Sequence, residues 1–220
     1  MRYSDEDIKK NVVDQLYWDD RVDASNITVT VQEGSVCLRG TVPTYFAFEC
    51  AQEDALAVAG GAQIENRIEI RYPETIPMPT DEELRNRLTA ILALNPDIQS
   101  IAVRIVVENG VVTLEGAVPA IWQKHHAQEV ISRERGVIRI LNRLKAIPAR
   151  RFADRDIADD IGRALLRGGV VDAENLNVKV QAGVVILRGT VRGAEVRNQV
   201  YKAALYTPGV VEVIDQLEVA

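Results

Sequence analysis

The chain is poor in the residues that carry covalent and metal chemistry. Its 220 residues include two cysteines and two histidines, and only 5% are aromatic. Both cysteines, Cys37 and Cys50, lie in the first third of the chain, so no repeated disulfide or metal framework is predicted. We expect two free thiols, as in a reducing compartment. The alternative, a redox-active pair, needs the two Cα atoms to lie within about 7 Å.

Long apolar runs and a leader-like N-terminus are missing as well. No stretch of about 18 apolar residues occurs, so no membrane-spanning helix is predicted. Residues 1–7, MRYSDED, are acidic where a signal peptide has a basic start and then an apolar run. The sequence as given is typical of a cytoplasmic protein, and a periplasmic location is expected if a leader has been removed.

Positive charge is scarce in the first third of the chain. Residues 1–75 contain 7 Lys/Arg against 14 Asp/Glu, a net charge of −7, whereas residues 76–148 carry +1 and residues 149–220 are neutral. No run of Lys/Arg and no basic stripe with interleaved aromatic residues occurs, so nucleic acid is not an expected partner. The first third of the chain would also be repelled by an anionic membrane.

The chain has no pattern of an active site, and we predict that the protein is not an enzyme. Its two histidines, His125 and His126, are adjacent and would point about 100° apart on a helix, whereas helical metal ligands are spaced four residues apart. No Ser/His/Asp set, no Cys/His pair and no phosphate-binding glycine loop with its lysine is recognisable. We therefore predict no cofactor and no metal.

What the chain has instead is internal repetition. The stretch ITVTVQEGSVCLRGTV at residues 27–42 returns 76 positions later as VRIVVENGVVTLEGAV, and 73 positions after that as LNVKVQAGVVILRGTV. A period of this length is the size of a small domain and too long for a solenoid repeat. We therefore predict three tandem domains, with their boundaries and linkers as follows: domains at 1–72, 81–147 and 154–220, a proline-rich linker at 73–80 and a shorter linker at 148–153.

Each copy predicts the order helix, strand, strand, helix, strand, which is an α+β fold. The first helix has an apolar residue at every fourth position, such as Ile8, Val12 and Leu16, as expected for a helix that faces a core. Ser4 and Thr80 are predicted N-caps. Alternating residues around a short glycine-containing turn predict a hairpin, and a further glycine ends its return strand. The structural glycines are Gly34, Gly40, Gly110, Gly116, Gly183 and Gly189.

The last strand of each copy carries a polar residue at one shared, inward-facing position. This residue is Asn66 in the first copy, Asn142 in the second and Asp215 in the third. Because a buried polar group needs a hydrogen-bond partner, we expect these side chains to bond to the nearby backbone.

Three segments carry a resemblance to a known family: GSVCLRGTV at 34–42, GVIRILNRL at 136–144 and PGVVEVIDQL at 208–217. In each copy a glycine-bounded hairpin is followed by a helix, and then by Gly-Val and a strand with Asn or Asp. This pattern is similar to the BON domain, named for bacterial osmotically inducible (OsmY-type) and nodulation proteins. The resemblance covers nearly the whole chain. It implies two helices on one face of a three-stranded mixed sheet. It also implies non-enzymatic binding, usually to phospholipid or envelope surfaces and often linked to osmotic stress.

The approach to the second helix of each copy is the first candidate binding surface. It reads PTYFAF at residues 43–48, PAIWQK at residues 119–124 and RGAEVR at residues 192–197, and the first two present large apolar side chains. Aromatic side chains favour the membrane–water boundary and helix N-termini favour phosphate, so together they suit a lipid headgroup. The alternative is that these rings pack under the hairpin or against a neighbouring domain. The candidate lipid- or partner-binding residues are Tyr45, Phe46, Phe48, Ile121, Trp122, Lys124, Arg192 and Arg197.

The outer face of the sheet is the second candidate surface, because apolar residues are phased outward there among polar ones. Exposed apolar groups on a sheet face often mark an interface. We favour packing between domains or subunits over ligand binding for this set of residues: Cys37, Val106, Val111, Val184 and Ile186.

Two functions are compatible with these features, and both are non-catalytic. The first is a stress-related binding protein that attaches to phospholipid membrane surfaces or envelope components. The second is a protein–protein scaffold or oligomerisation module without lipid affinity, for which a homo-oligomer is expected. A third, more distant hypothesis is a small-ligand sensor with its ligand in a cleft between domains.

Overall fold

The computed structural model describes residues 4–72, 77–98, 103–169 and 176–219. Each copy has the predicted order of helix, strand, strand, helix, strand. The first comprises α1 (Asp5–Trp18), β1 (Ile27–Gln32), β2 (Ser35–Val42), α2 (Tyr45–Val58) and β3 (Gln63–Ile70). The second comprises α3 (Asp81–Leu94), β4 (Val103–Glu108), β5 (Val111–Val118), α4 (Ile121–Ser132) and β6 (Arg139–Ala146). The third comprises α5 (Asp154–Arg167), β7 (Leu176–Gln181), β8 (Val184–Val191), α6 (Ala194–Leu205) and β9 (Glu212–Val219).

Within the predicted linker at 73–80, residues 73–76 lie outside the described residues. The packing of the described chain separates two compact units. One joins the first copy to residues 77–89, 106–112 and 129–141; the other joins the third copy to residues 90–98, 103–105, 113–128 and 142–148. The middle copy thus contributes segments to both units.

Each sheet is three-stranded and mixed, as the resemblance implied. In the first copy β1 pairs antiparallel with β2, and β2 pairs parallel with β3, so that β2 is central. The strands of the third copy have the same directions, and the middle sheet has the same order β4-β5-β6. A parallel pair needs a crossover connection, and α2 provides it between β2 and β3.

The central strand does not end at the glycine where the sequence predicted its end. β2 continues through Gly40 to Val42 because its parallel pairing with β3 extends to that residue. Gly40 has a φ of 136°, and a Cβ atom there would lie 1.8 Å from the carbonyl oxygen of Asn26. The glycine therefore permits a close approach of the backbone within the strand.

The core of the first copy is formed by one face of the sheet and the two helices. Val12 from α1, Leu38 from β2 and Ala51 from α2 are fully buried in one cluster. The alanines of α2 leave room for that helix to lie close to the sheet. The third copy repeats this arrangement, with Ile161 and Val200 in the equivalent cluster.

The predicted helix caps are confirmed. Ser4 Oγ accepts the backbone N–H of Asp7 at 3.1 Å, and the Asp7 carboxylate accepts the N–H of Ser4 in return. Thr80 and Glu83 form the same reciprocal pair at the start of α3. Such a capping box satisfies backbone donors that have no partner inside the helix.

The first residue of the first helix also holds the hairpin turn in every copy. The Asp5 carboxylate accepts the backbone N–H groups of Glu33 and Gly34 at 2.9 and 3.0 Å. Asp81 binds residues 109 and 110 in the same way, and Asp154 binds residues 182 and 183. The first residue of each turn has a φ near 50° and the glycine after it a φ near 75°, as in a two-residue hairpin turn. We refer to this arrangement as the aspartate clamp.

We expect Asp154→Ala to destabilise the third copy by about 1–3 kcal/mol, because two backbone donors lose a charged acceptor. Hydrogen exchange of the β7–β8 amides in the full chain measures the loss. Asp156→Ala is the matched control, because it removes a charge from the same first helical turn but leaves the clamp intact. Equal effects of the two substitutions would contradict a specific role for the clamp.

Candidate functional site

No three His, Cys, Asp or Glu side chains gather as metal ligands in the part of the chain that the structure describes. Cys50 is buried, and burial raises the pKa of its thiol to about 12. It is therefore a thiol rather than a reactive thiolate at neutral pH. Cys37 is half-buried on the outer face of the first sheet, and both cysteines are free. His126 Nε2 lies 3.3 Å from the side-chain amide of Asn95.

The aromatic start of α2 is covered by residues of the middle copy. Tyr45 stacks on Phe48, with ring centroids 5.7 Å apart. The guanidinium carbon of Arg133 lies 3.7 Å from the centroid of the Phe46 ring, which is a close cation–π contact. Burial raises the pKa of the Tyr45 hydroxyl.

The start of α4 makes a matching contact with the third copy. Ile121 is 4% exposed and packs in the hydrophobic cluster of that copy. Trp122 packs against the same cluster, and its ring centroid lies 6.5 Å from that of Tyr206. The His125 and Tyr201 rings are nearly perpendicular, with their centroids 6.3 Å apart.

The two contacts use equivalent positions of the repeat with different chemistry. Phe46 and Trp122 occupy the same position of their copies, and so do Arg133 and Tyr206. The first pair is cation–π and the second is aromatic–aromatic. At the position of Phe46 the third copy has Glu195. The apolar candidates of the first two copies thus lie where neighbouring copies meet, and their contact with lipid stays a prediction.

The last residue of the first copy adds to its contact with the middle copy. Tyr72 donates its hydroxyl proton to the carbonyl oxygen of Val137 at 2.8 Å. The guanidinium carbon of Arg135 lies 5.7 Å from the centroid of the same ring. Burial raises the pKa of Tyr72, so the hydroxyl keeps its proton for this bond.

The inward polar position of the last strand bonds to the backbone in all three copies, as predicted. Asn66 donates to the carbonyl oxygen of Phe48 at 3.3 Å, and Asn142 donates to that of Lys124 at 2.8 Å. Asp215 accepts the backbone N–H of Leu217 at 3.0 Å, but a carboxylate cannot donate to the helix. Arg197, a candidate for lipid binding, instead donates to Asp215 at 2.9 Å. Lys124 and Arg197 are therefore at the anchor point of the last strand.

The five outer-face candidates are half-buried on their sheets. In the third copy Ile186 lies beside Lys179 on β7 and beside Ile214 on β9. Ile214 is 36% exposed, so the two isoleucines form a small apolar patch on this face. A role of these residues in packing between domains or subunits stays a prediction.

Sequence reasoning missed a more exposed set of large apolar side chains at the ends of the first helices. Trp18 is 79% exposed and Tyr17 is 69% exposed at the end of α1. Leu94 is 84% exposed at the end of α3, and Leu166 is 73% exposed at the end of α5. Only their position in the sequence could have identified them: Trp18 and Leu94 each lie two residues after the last residue of the buried apolar stripe of their helix.

The family model of the BON domain matches the chain three times, at residues 4–72, 80–148 and 153–220. The chain belongs to the BON-domain family. Two solved structures that the chain matches are of CdsD, a structural protein of the type III secretion system of Chlamydia trachomatis, one of them its C-terminal domain. Each is 13% identical to this chain; the TM-scores are 0.27 and 0.26, and the alignments cover 98% and 99% of this chain and 91% and 98% of those chains. Comparison with curated proteins finds no match.

Among the described residues of these BON domains, no helix combines the length and the apolar character that a membrane span requires. Their helices have 12 or 14 residues.

The contact between the first two BON domains predicts energetic coupling between Phe46 and Arg133. A double-mutant cycle with Phe46→Ala and Arg133→Ala is expected to give a coupling of about 0.5–1 kcal/mol, as for a cation–π pair near the surface. Urea unfolding of the full chain and the two-state free energy of the first transition measure it. Arg143→Ala, on an exposed arginine of the same domain that faces Glu115, is the matched control and should show no coupling with Phe46.

The third BON domain predicts a rescue experiment. Arg197→Ala should destabilise this domain by about 1–3 kcal/mol, because it leaves the largely buried Asp215 carboxylate without its cation. Adding Asp215→Asn should restore most of the loss, because an amide can donate to the helix carbonyl as Asn66 and Asn142 do. Hydrogen exchange of the α6 and β9 amides measures both effects. A double variant no more stable than Arg197→Ala would show that the shared polar position works differently in this domain.

Proposed function

We propose that the chain is a non-catalytic binding protein that attaches reversibly to phospholipid surfaces through the exposed ends of the first helices of its BON domains. One observation carries the proposal: Trp18, Leu94 and Leu166 are each more than 70% exposed at the same end of the corresponding helix. Membership of the BON family, whose resemblance implied binding to membrane surfaces, supports the same class of function. A link to osmotic stress, which that resemblance also implied, is part of the proposal.

Large exposed side chains are unfavourable in water unless a partner covers them. Burying one such side chain contributes about 1.5–3 kcal/mol, so three or four of them provide weak and reversible attachment. Tryptophan and tyrosine suit the boundary between headgroups and acyl chains, because the ring is apolar and its polar atom stays hydrated. The first domain presents both of them at adjacent positions, Tyr17 and Trp18, next to a shallow depression lined by Val22 and Ser25.

Charge favours zwitterionic over strongly anionic lipid for the first domain. Residues 1–75 carry a net charge of −7, which opposes binding to an anionic surface. The third domain differs, because Arg163 and Arg167 flank Leu166 on the last turns of α5. Arg167 occupies the position of Trp18, so this helix end combines an apolar contact with a cation that suits a lipid phosphate.

The start of the second helices is a less favourable membrane surface than these helix ends. Phe46 is covered by Arg133, and Ile121 is buried against the third domain. Contact of these residues with lipid would require the neighbouring domains to separate. The proposal therefore assigns the main lipid contact to Trp18 and its counterparts.

Co-sedimentation of the full chain with vesicles of zwitterionic lipid, and with vesicles containing a phosphatidylglycerol fraction, tests the proposal. Trp18→Ala is expected to lower the partition coefficient about tenfold, which corresponds to about 1.4 kcal/mol of lost burial. Leu56→Ala is the matched control, since Leu56 is an exposed apolar residue elsewhere in the same domain and should leave binding unchanged.

Two results would contradict the proposal. A wild-type chain that binds neither vesicle type would exclude attachment to lipid. Equal losses for Trp18→Ala and Leu56→Ala would exclude the helix end as the contact. Without lipid binding, the second candidate function is a protein–protein scaffold, which the apolar pair Ile186 and Ile214 on the third sheet favours.

A further inference from the structure

A buried polar cluster joins the two helices of the first BON domain. Gln15, in the last turn of α1, donates its side-chain N–H to Oδ1 of Asp54 on α2 at 3.0 Å. Asp54 is only 5% exposed, and its second oxygen, Oδ2, is buried without a hydrogen-bond partner. Buried polar atoms are nearly always paired, so this oxygen requires an explanation.

A second carboxyl group lies beside Asp54. Asp19, just after α1, is buried, and the guanidinium of Arg21 donates to both of its oxygens at 2.9 Å. The Asp19 and Asp54 carboxyls are close enough to share a hydrogen bond once one of them carries a proton, since two ionised carboxylates have no donor between them. The other titratable groups near the cluster are Cys50 and Glu53, both on α2.

The proton of this pair belongs to Asp54. Burial, with the negative charge of Asp19 beside it, raises the pKa of Asp54 to about 6 from an ordinary value of 3.8. The hydrogen bonds from Arg21 lower the pKa of Asp19, which therefore stays ionised. When Asp54 is protonated, its hydroxyl donates to Asp19 and no oxygen is left unpaired; when it is ionised, two buried carboxylates face one guanidinium.

The fold itself does not require this cluster. The second domain has Ile91, Asn95 and Val130 at the positions of Gln15, Asp19 and Asp54. The third domain has Ala164, Gly168 and Ala203 there. Two copies thus pack these helices with uncharged residues, and the ionisable arrangement is particular to the first domain.

We propose that Asp54 is a proton-operated switch that fixes the end of α1 against α2 when protonated and loosens it when ionised. The inference rests on the cluster and not on lipid binding. It concerns the helix end that carries Tyr17 and Trp18, so the switch would control how these side chains are presented.

The direction of the pH dependence follows from the two states. The folded state holds the Asp54 proton more tightly than the unfolded state, so its stabilising effect is complete below pH 3.8 and is lost as the pH rises through about 6. The lowered pKa of Asp19 has the opposite effect on stability, and only below about pH 4. Opening of the α1 end should therefore become roughly thirtyfold more frequent between pH 4.5 and 7.5.

Hydrogen exchange of the full chain between pH 4.5 and 7.5, corrected for the intrinsic exchange rate, measures this opening. Peptides covering residues 12–18 and 50–58 should show the increase. The matched segments of the third domain, 161–167 and 199–205, should not show this increase, because that domain has no carboxyl group at the equivalent positions. Asp54→Asn keeps the shape and a donor toward Asp19, and should remove the pH dependence while leaving α1 protected. The pair Gln15→Ile and Asp54→Val, which copies the second domain, should do the same.

A wild-type chain whose α1 exchange has no pH dependence beyond the third-domain segments would overturn the proposal. So would an Asp54→Asn chain that keeps the full dependence. An NMR titration of the Asp54 side-chain carboxyl carbon uses the wild-type chain, so its result does not depend on whether a variant folds. A midpoint near pH 6 is expected, and a midpoint below pH 4.5 would exclude the switch.

Discussion

The position of the first helix in each domain depends on one carboxylate. Asp5, Asp81 and Asp154 each bind both backbone N–H groups of their hairpin turn. Because the first residue of the helix is tied to one end of the hairpin, the path of the helix across the sheet is set. Its buried stripe then meets the central strand. The next residues of the helix, such as Trp18, extend past the core and remain exposed.

A single BON domain has a small core, and small cores leave little margin of stability. This chain compensates at the start of the second helix, where the repeat supplies the same contact twice. Arg133 covers Phe46 in one case, and Tyr206 approaches Trp122 in the other. Equivalent positions thus carry different chemistry in the two contacts. The third domain has Glu195 at this position, so the aromatic contact is not continued by its own second helix.

The three domains share a backbone arrangement but not their polar interiors. The last strand is anchored to the second helix by Asn66 or Asn142 in two domains and by the Asp215–Arg197 pair in the third. The seam between the helices is apolar or neutral in two domains, but ionisable at Asp54 in the first. Repetition of the fold therefore permits each copy a different response to charge and pH, since the clamp and the core stripe already specify the structure.

The sequence by itself determined the three copies, the order of their elements, the hairpin, the caps at Ser4 and Thr80, and the inward polar position. These are local or periodic properties, and each is repeated three times. It did not determine that Asp5 binds a turn 28 residues away, that Arg133 covers Phe46, or that Asp54 meets Asp19. Such contacts join residues far apart in the chain, and no periodicity records them. Trp18 and Phe46 are alike in sequence, since each directly follows a tyrosine. Tertiary packing alone left the first exposed and covered the second.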